Sequence, residues 1–189
     1  MAQVKDVARY ILEKREDTGH TTTAYALQKL LYYCQAWMLV SRNTVLFDSP
    51  IQAWTHGPVA VETWDFCRGR YRMQKRDIVN GDTDALDWDE EALVKRVLDL
   101  YAPYDDATLG DELERMSHSE APWKDAIDKD NKVITPESLV DYFSGLQTQE
   151  FESDTPVPYL ADISTHMFVS DEEFDWLESM MNRPKESEN

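Results

Sequence analysis

Residues 23–42, TAYALQKLLYYCQAWMLVSR, carry apolar side chains around most of a helical circumference: Leu27, Leu30, Leu31, Cys34, Trp37, Met38 and Val40. A helix that is apolar on nearly every side is stable in water only when other segments cover it. Gln28, Lys29 and Gln35 interrupt the stretch, which falls short of the ~20 apolar residues that a bilayer span needs. The run Thr21-Thr22-Thr23 ahead of it supplies a hydroxyl to cap its first turn. The chain is therefore expected to wrap around this helix as a central, buried spine. A mainly α, compact single domain follows, cytoplasmic and without membrane contact.

The remaining punctuation is helical too. Val4, Val7, Ala8, Ile11 and Leu12 repeat at helical spacing, placing an amphipathic helix over 3–16 that ends near Gly19. Residues 43–58 hold the breakers Pro50, Gly57 and Pro58 and read as an irregular crossing, with Pro58 opening a helix over 58–68. Residues 77–88 form a polar loop. Helices are expected over 89–102, 107–116 and 120–128, the last capped by Ser119, and from Thr135-Pro136-Glu137 to Leu146. Beyond lies an irregular acidic extension, 147–183, with a short strand at 165–169. Its Ser170-Asp171-Glu172-Glu173 capping box opens a helix carrying Phe174, Leu177 and Met181. Residues 1–146 then form the helical domain, and the tail 184–189 is disordered.

The chain has 189 residues, 42% of them hydrophobic, which suffices for one cored domain and excludes wholesale disorder. Its 37 acidic residues against 19 basic ones leave a net charge of -18. That field repels a bare phosphate backbone and favours a basic protein, so no direct nucleic-acid contact is expected. Charge is unevenly spread. Residues 147–189 hold eleven acidic and two basic residues, whereas Arg68, Arg70, Arg72, Lys75 and Arg76 fall within nine positions that contain no acid. This basic island is a solvated helix end whose cations complement the macrodipole or the protein's own carboxylates, a patch for an acidic or phosphate-bearing partner, or a direct DNA contact, the last disfavoured because no helix-turn-helix pattern accompanies it. The acidic end interleaves Phe151, Tyr159, Phe168, Phe174 and Trp176 with its carboxylates, a pattern that suits a solvated face or a protein interface.

Catalytic and metal signatures are scarce. His20, His56, His118 and His166 are far apart and make no HExxH spacing, Cys34 and Cys67 read as buried reduced thiols, and no phosphate-cradling glycine loop exists. Neither a cofactor nor enzymatic activity is expected. Two clusters are more informative: Trp54-Thr55-His56-Gly57-Pro58, and His118-Ser119-Glu120-Ala121-Pro122-Trp123. Each places a histidine and a tryptophan beside a breaker. Both side chains need partners for their N–H groups, so each cluster either fixes a turn or lines a groove for a partner segment.

In order and spacing, three motifs resemble the Panacea domain of SocA-like and GepA-like antitoxins. They are Leu27-Gln28-Lys29-Leu30-Leu31-Tyr32-Tyr33-Cys34-Gln35-Ala36-Trp37; Ile51-Gln52-Ala53-Trp54 with His56-Gly57-Pro58-Val59; and Met116-Ser117-His118 with Pro122-Trp123. Ile134 to Phe143 resembles the family's closing helix. The resemblance implies a helical antitoxin that neutralises a cognate toxin, encoded by the neighbouring gene, through direct protein contact. Gln28, Lys29, Leu30, Leu31, Tyr32, Gly57 and Pro58 are then structural motif residues. Partner contacts would fall on Trp54, His56, His118, Trp123, Phe151, Tyr159, Phe174 and Trp176. Some relatives are similar to adaptors that deliver a toxin to a ClpXP-type protease, which leaves a protease as a second partner. An enzyme reversing a toxin's modification is the remaining alternative.

Overall fold

The computed structural model describes residues 2–102, 106–150 and 152–160. Within them the chain is mainly α. It runs α1 (Val4–Asp17), β1 (Thr22–Thr23), α2 (Ala24–Arg42), β2 (Ile51–Trp54), β3 (Gly57–Ala60), α3 (Trp64–Cys67), β4 (Arg72–Met73), α4 (Trp88–Tyr101), α5 (Leu109–Ser119), α6 (Ala121–Ile127), β5 (Val133–Ile134) and α7 (Pro136–Gln147). No helix among the described residues is long and apolar enough to cross a membrane.

Helix α2 begins where the Thr23 hydroxyl accepts from the Ala26 amide, and it ends at Asn43 in the left-handed region. Its residues from Ala26 through Leu39 are buried without interruption. Helices α1, α4, α5 and α7 and strand β3 all touch it. Aromatic rings fill the layer between α2, α4 and α7: Tyr33 stacks on Tyr101 at 4.2 Å, and Phe143 meets Trp37 edge-on at 5.1 Å. The Trp37 indole N–H donates to the Tyr101 hydroxyl at 2.8 Å, satisfying the one polar atom that this ring carries inward.

The polar residues that interrupt α2 tie down the non-helical segments. The Gln35 carboxamide accepts from the amides of Leu46 and Phe47 and donates to the Phe47 carbonyl. Gln28, two turns earlier on the same face, accepts from the Ala60 amide and donates to the Thr63 hydroxyl. Its carboxamide N–H also lies 3.3 Å from Cys67 Sγ.

The crossing expected over 43–58 is a β-hairpin in its second half. Strands β2 and β3 pair antiparallel with Ala53 opposite Pro58, and β5 joins the free side of β2. Pro58 does not open a helix. It sits on β3, the edge strand of the order β3-β2-β5, where a missing N–H costs no interior ladder bond. Gly57 closes the Thr55–His56 turn at φ 97°, a conformation open to glycine. Helical structure resumes three residues after Pro58, as a 3-10 turn over Val61–Thr63 that runs into the one-turn α3. A second small sheet, β1 with β4, pairs Thr23 with Arg72.

Ser119 does not cap α6 either. It is the last residue of α5, and its hydroxyl donates to the Met116 carbonyl at 2.7 Å, leaving Glu120 at the cap position. Both cysteines are free and buried, and burial raises both thiols above their ordinary range. The expected strand at 165–169, the capping box at 170–173 and the tail lie outside the described residues.

Candidate functional site

The hairpin lies against the first half of α2 and leaves a cavity of about 550 Å³ between them, closed on its far side by α3 and the loop after it. Trp54 and His56 both line it. The Trp54 ring meets Trp64 edge-on at 5.0 Å, while the His56 imidazole packs edge-on against Tyr25 at 5.7 Å. His56 Nδ1 lies 3.3 Å from the Glu114 carboxylate of α5, so the hairpin tip is tied to that helix by a solvent-facing pair.

Lys29 enters the same cavity from α2 and is only 1% exposed. Gly57 makes its position feasible: a Cβ there would lie 2.4 Å from Lys29 Cε, closer than any side chain tolerates. The Lys29 ammonium has no hydrogen bond or ion pair among the described residues. It lies 5.9 Å from the centre of the Tyr25 ring, a weak compensation for lost water. Burial pushes Lys29 down to about 8, with the nearby Glu114 charge pulling partly the other way.

The second cluster converges on the first. The Trp123 indole N–H donates to the Trp54 carbonyl at 3.0 Å, and its ring stacks on His118 at 4.0 Å. Two motifs separated by some seventy positions thus form one wall. His118 Nε2 is buried without a hydrogen-bond partner among the described residues, and burial lowers this imidazole's proton affinity, with the Glu114 charge pulling the other way and Lys29 and His56 adding to the fall.

Other sequence-nominated residues lie elsewhere. Arg70 pairs with Asp77 at 3.0 Å and lines the cavity mouth, and Lys75 pairs with Glu13 at 3.5 Å. Arg68, Arg72 and Arg76 are exposed. The island is therefore partly matched by the protein's own carboxylates. Tyr159 is 69% exposed, and its carbonyl accepts from Arg96 of α4. Phe151, Phe174 and Trp176 lie outside the described residues.

Sequence reading missed Glu120. It is fully buried and receives the hydroxyls of Tyr32 at 2.7 Å, Tyr33 at 3.0 Å and Thr155 at 2.8 Å. Burial raises it to about 7 against the opposing pull of those donors. The signal was the Tyr32-Tyr33 pair inside the most apolar helix, since two phenol hydroxyls there need acceptors. No group of three or more histidine, cysteine or acidic side chains among the described residues is arranged to hold a metal ion.

A mainly helical domain with a small antiparallel sheet and a cavity walled by aromatic and cationic side chains is the class that this fold and site define. Residues 27–124, just over half of the chain, match the family model of the antitoxin SocA-like Panacea domain, and the chain belongs to that family. Searches of the curated proteins and of the solved structures found no match.

Proposed function

We propose that this protein is the antitoxin of a type II-like toxin–antitoxin pair, acting in the cytoplasm and neutralising a cognate toxin by direct, stoichiometric contact rather than by catalysis. The observation that carries the reading is the family match, which spans the α2 motif, the hairpin and the α5–α6 motif. The net charge of -18 suits a basic partner and speeds its encounter. The proposed contacts are of two kinds: the acidic, aromatic segment 147–183, with Phe151, Tyr159, Phe174 and Trp176 as anchors, and the wall built from Trp54, His56, His118 and Trp123.

Co-expression with the neighbouring gene, followed by pull-down on this chain, tests the reading. Growth arrest relieved together with a complex of fixed ratio supports it, and Trp176→Ala or Phe174→Ala should then weaken both protection and complex. Relief without a recoverable complex, lost in cells lacking the protease, favours delivery to a ClpXP-type protease. Relief at substoichiometric levels, abolished by His56→Ala or His118→Ala with binding intact, points to an enzyme.

A further inference from the structure

Lys29 is a buried cation with no ion-pair partner among the described residues, in a chain rich in carboxylates. A buried charge is tolerated when it is paired, and removing the partner of such a charge is what makes it costly. Among the described residues the cavity lining supplies no pairing acid: Lys29, Arg70 and Lys132 are cationic, and none is aspartate or glutamate. Arg70 already holds Asp77, which leaves Lys29 as the deep positive centre. The remaining walls are largely aromatic, from Tyr25, Trp54 and Trp64. The volume, about 550 Å³, falls in the range of small-molecule sites, roughly 300–1,000 Å³.

From this geometry we infer that the cavity is a binding site for a small organic monoanion, an arylcarboxylate in class. Its carboxylate pairs with Lys29 Nζ, and its flat apolar body lies against the Trp54–Trp64 pair and the Tyr25 ring. A single negative head fits better than a polyanion, because a protein of net charge -18 opposes accumulation of further negative charge. The site shares Trp54 and His56 with the wall proposed as a toxin contact, and titration of the chain without a toxin tests ligand binding independently of that reading.

The test is calorimetric titration of the full chain with indole-3-acetate, alongside its neutral amide, indole-3-acetamide, and the cation tryptamine. One-to-one binding of the acid is expected, with the amide at least about tenfold weaker, the loss expected when a charged hydrogen bond is replaced by a neutral one. Tryptamine should not bind. Lys29→Met keeps the length of the stem and removes the charge, so it should lose the acid's advantage over the amide. Should that variant misfold, Tyr25→Ala at the partly exposed rim should weaken the acid and the amide alike.

Proton uptake offers a readout that a passive apolar cavity would not give. The groups facing Lys29 are Glu114 and His118 from α5, His56 from the hairpin and Tyr25 from its own helix. Pairing with a carboxylate raises the proton affinity of Lys29, so binding above pH 8 takes up a proton and weakens as pH rises further. Comparing heats in buffers of different ionisation enthalpy measures it. Equal binding of acid and amide, unchanged discrimination in Lys29→Met, or no saturable binding of the acid would each overturn the proposal.

Discussion

Glu120 shows how one residue couples folding to pH. Its carboxyl sits among three hydroxyl donors, yet burial dominates and its folded value of about 7 stands above the 4.5 of an exposed glutamate. A raised folded value means that the neutral form is the one the fold favours. Its stabilising contribution is complete below pH 4.5 and is lost as pH rises through 7, on the order of 3 kcal/mol in all. Glu120→Gln keeps the shape and carries no titrating proton. Urea denaturation at pH 5 and pH 8 should therefore show a larger fall in stability for the natural chain than for Glu120→Gln. Parallel falls would mean that Glu120 titrates as an ordinary carboxylate.

At the scale of elements, the helices were legible in the sequence because their signals are local. Threonines at 23 and 135 cap α2 and α7 as the pattern predicts, and apolar spacing placed α1 and α4 within a residue or so. The hairpin was not, because four-residue strands are too short to show alternation, and Gly57 and Pro58 read as breakers when one closes the turn and the other sits on an edge strand. Ser119 misled for a related reason: a serine hydroxyl bonds back to the carbonyl three residues earlier as readily as it caps the next helix. The site was half legible. Both His–Trp clusters stood out, but their union through the Trp123–Trp54 bond, and the lack of an ion-pair partner for Lys29 among the described residues, exist only in three dimensions. Gln35 looked like an interruption of an apolar run, and it is the clamp on the loop after α2. Gln35→Leu preserves burial but leaves the Leu46 and Phe47 amides and the Phe47 carbonyl without their partner. We expect a loss of at least about 2 kcal/mol by urea denaturation, given roughly 1–3 kcal/mol for each buried group left unmet. A loss within 0.5 kcal/mol of zero, the range of an ordinary surface change, would show that the loop finds other donors.

Across the whole molecule, the chain after α7 returns to close the core. Thr155 reaches Glu120, the Tyr101 hydroxyl donates to the Pro156 carbonyl, and Leu160 is buried against the helices. Tyr101 also accepts from Trp37, so a relay of hydrogen bonds runs from α2 through α4 to this segment. A chain ending at Leu146 would lose the Thr155 cover and open Glu120 to water, whereas one ending at Leu160 keeps both. The shorter chain is expected to be less stable than the longer by about 2–4 kcal/mol, from one unmet buried group and the apolar area of Leu160. It should also lose the fall in stability between pH 4.5 and 7, because a hydrated Glu120 returns toward its ordinary value. Denaturation of the two truncated chains at two pH values measures both effects together. A shorter chain of equal stability that keeps the pH-dependent fall would show that the segment only rests on the surface. Loss of stability without loss of the fall would place its contribution in Leu160 and Tyr101 and leave Glu120 sealed by the helices alone.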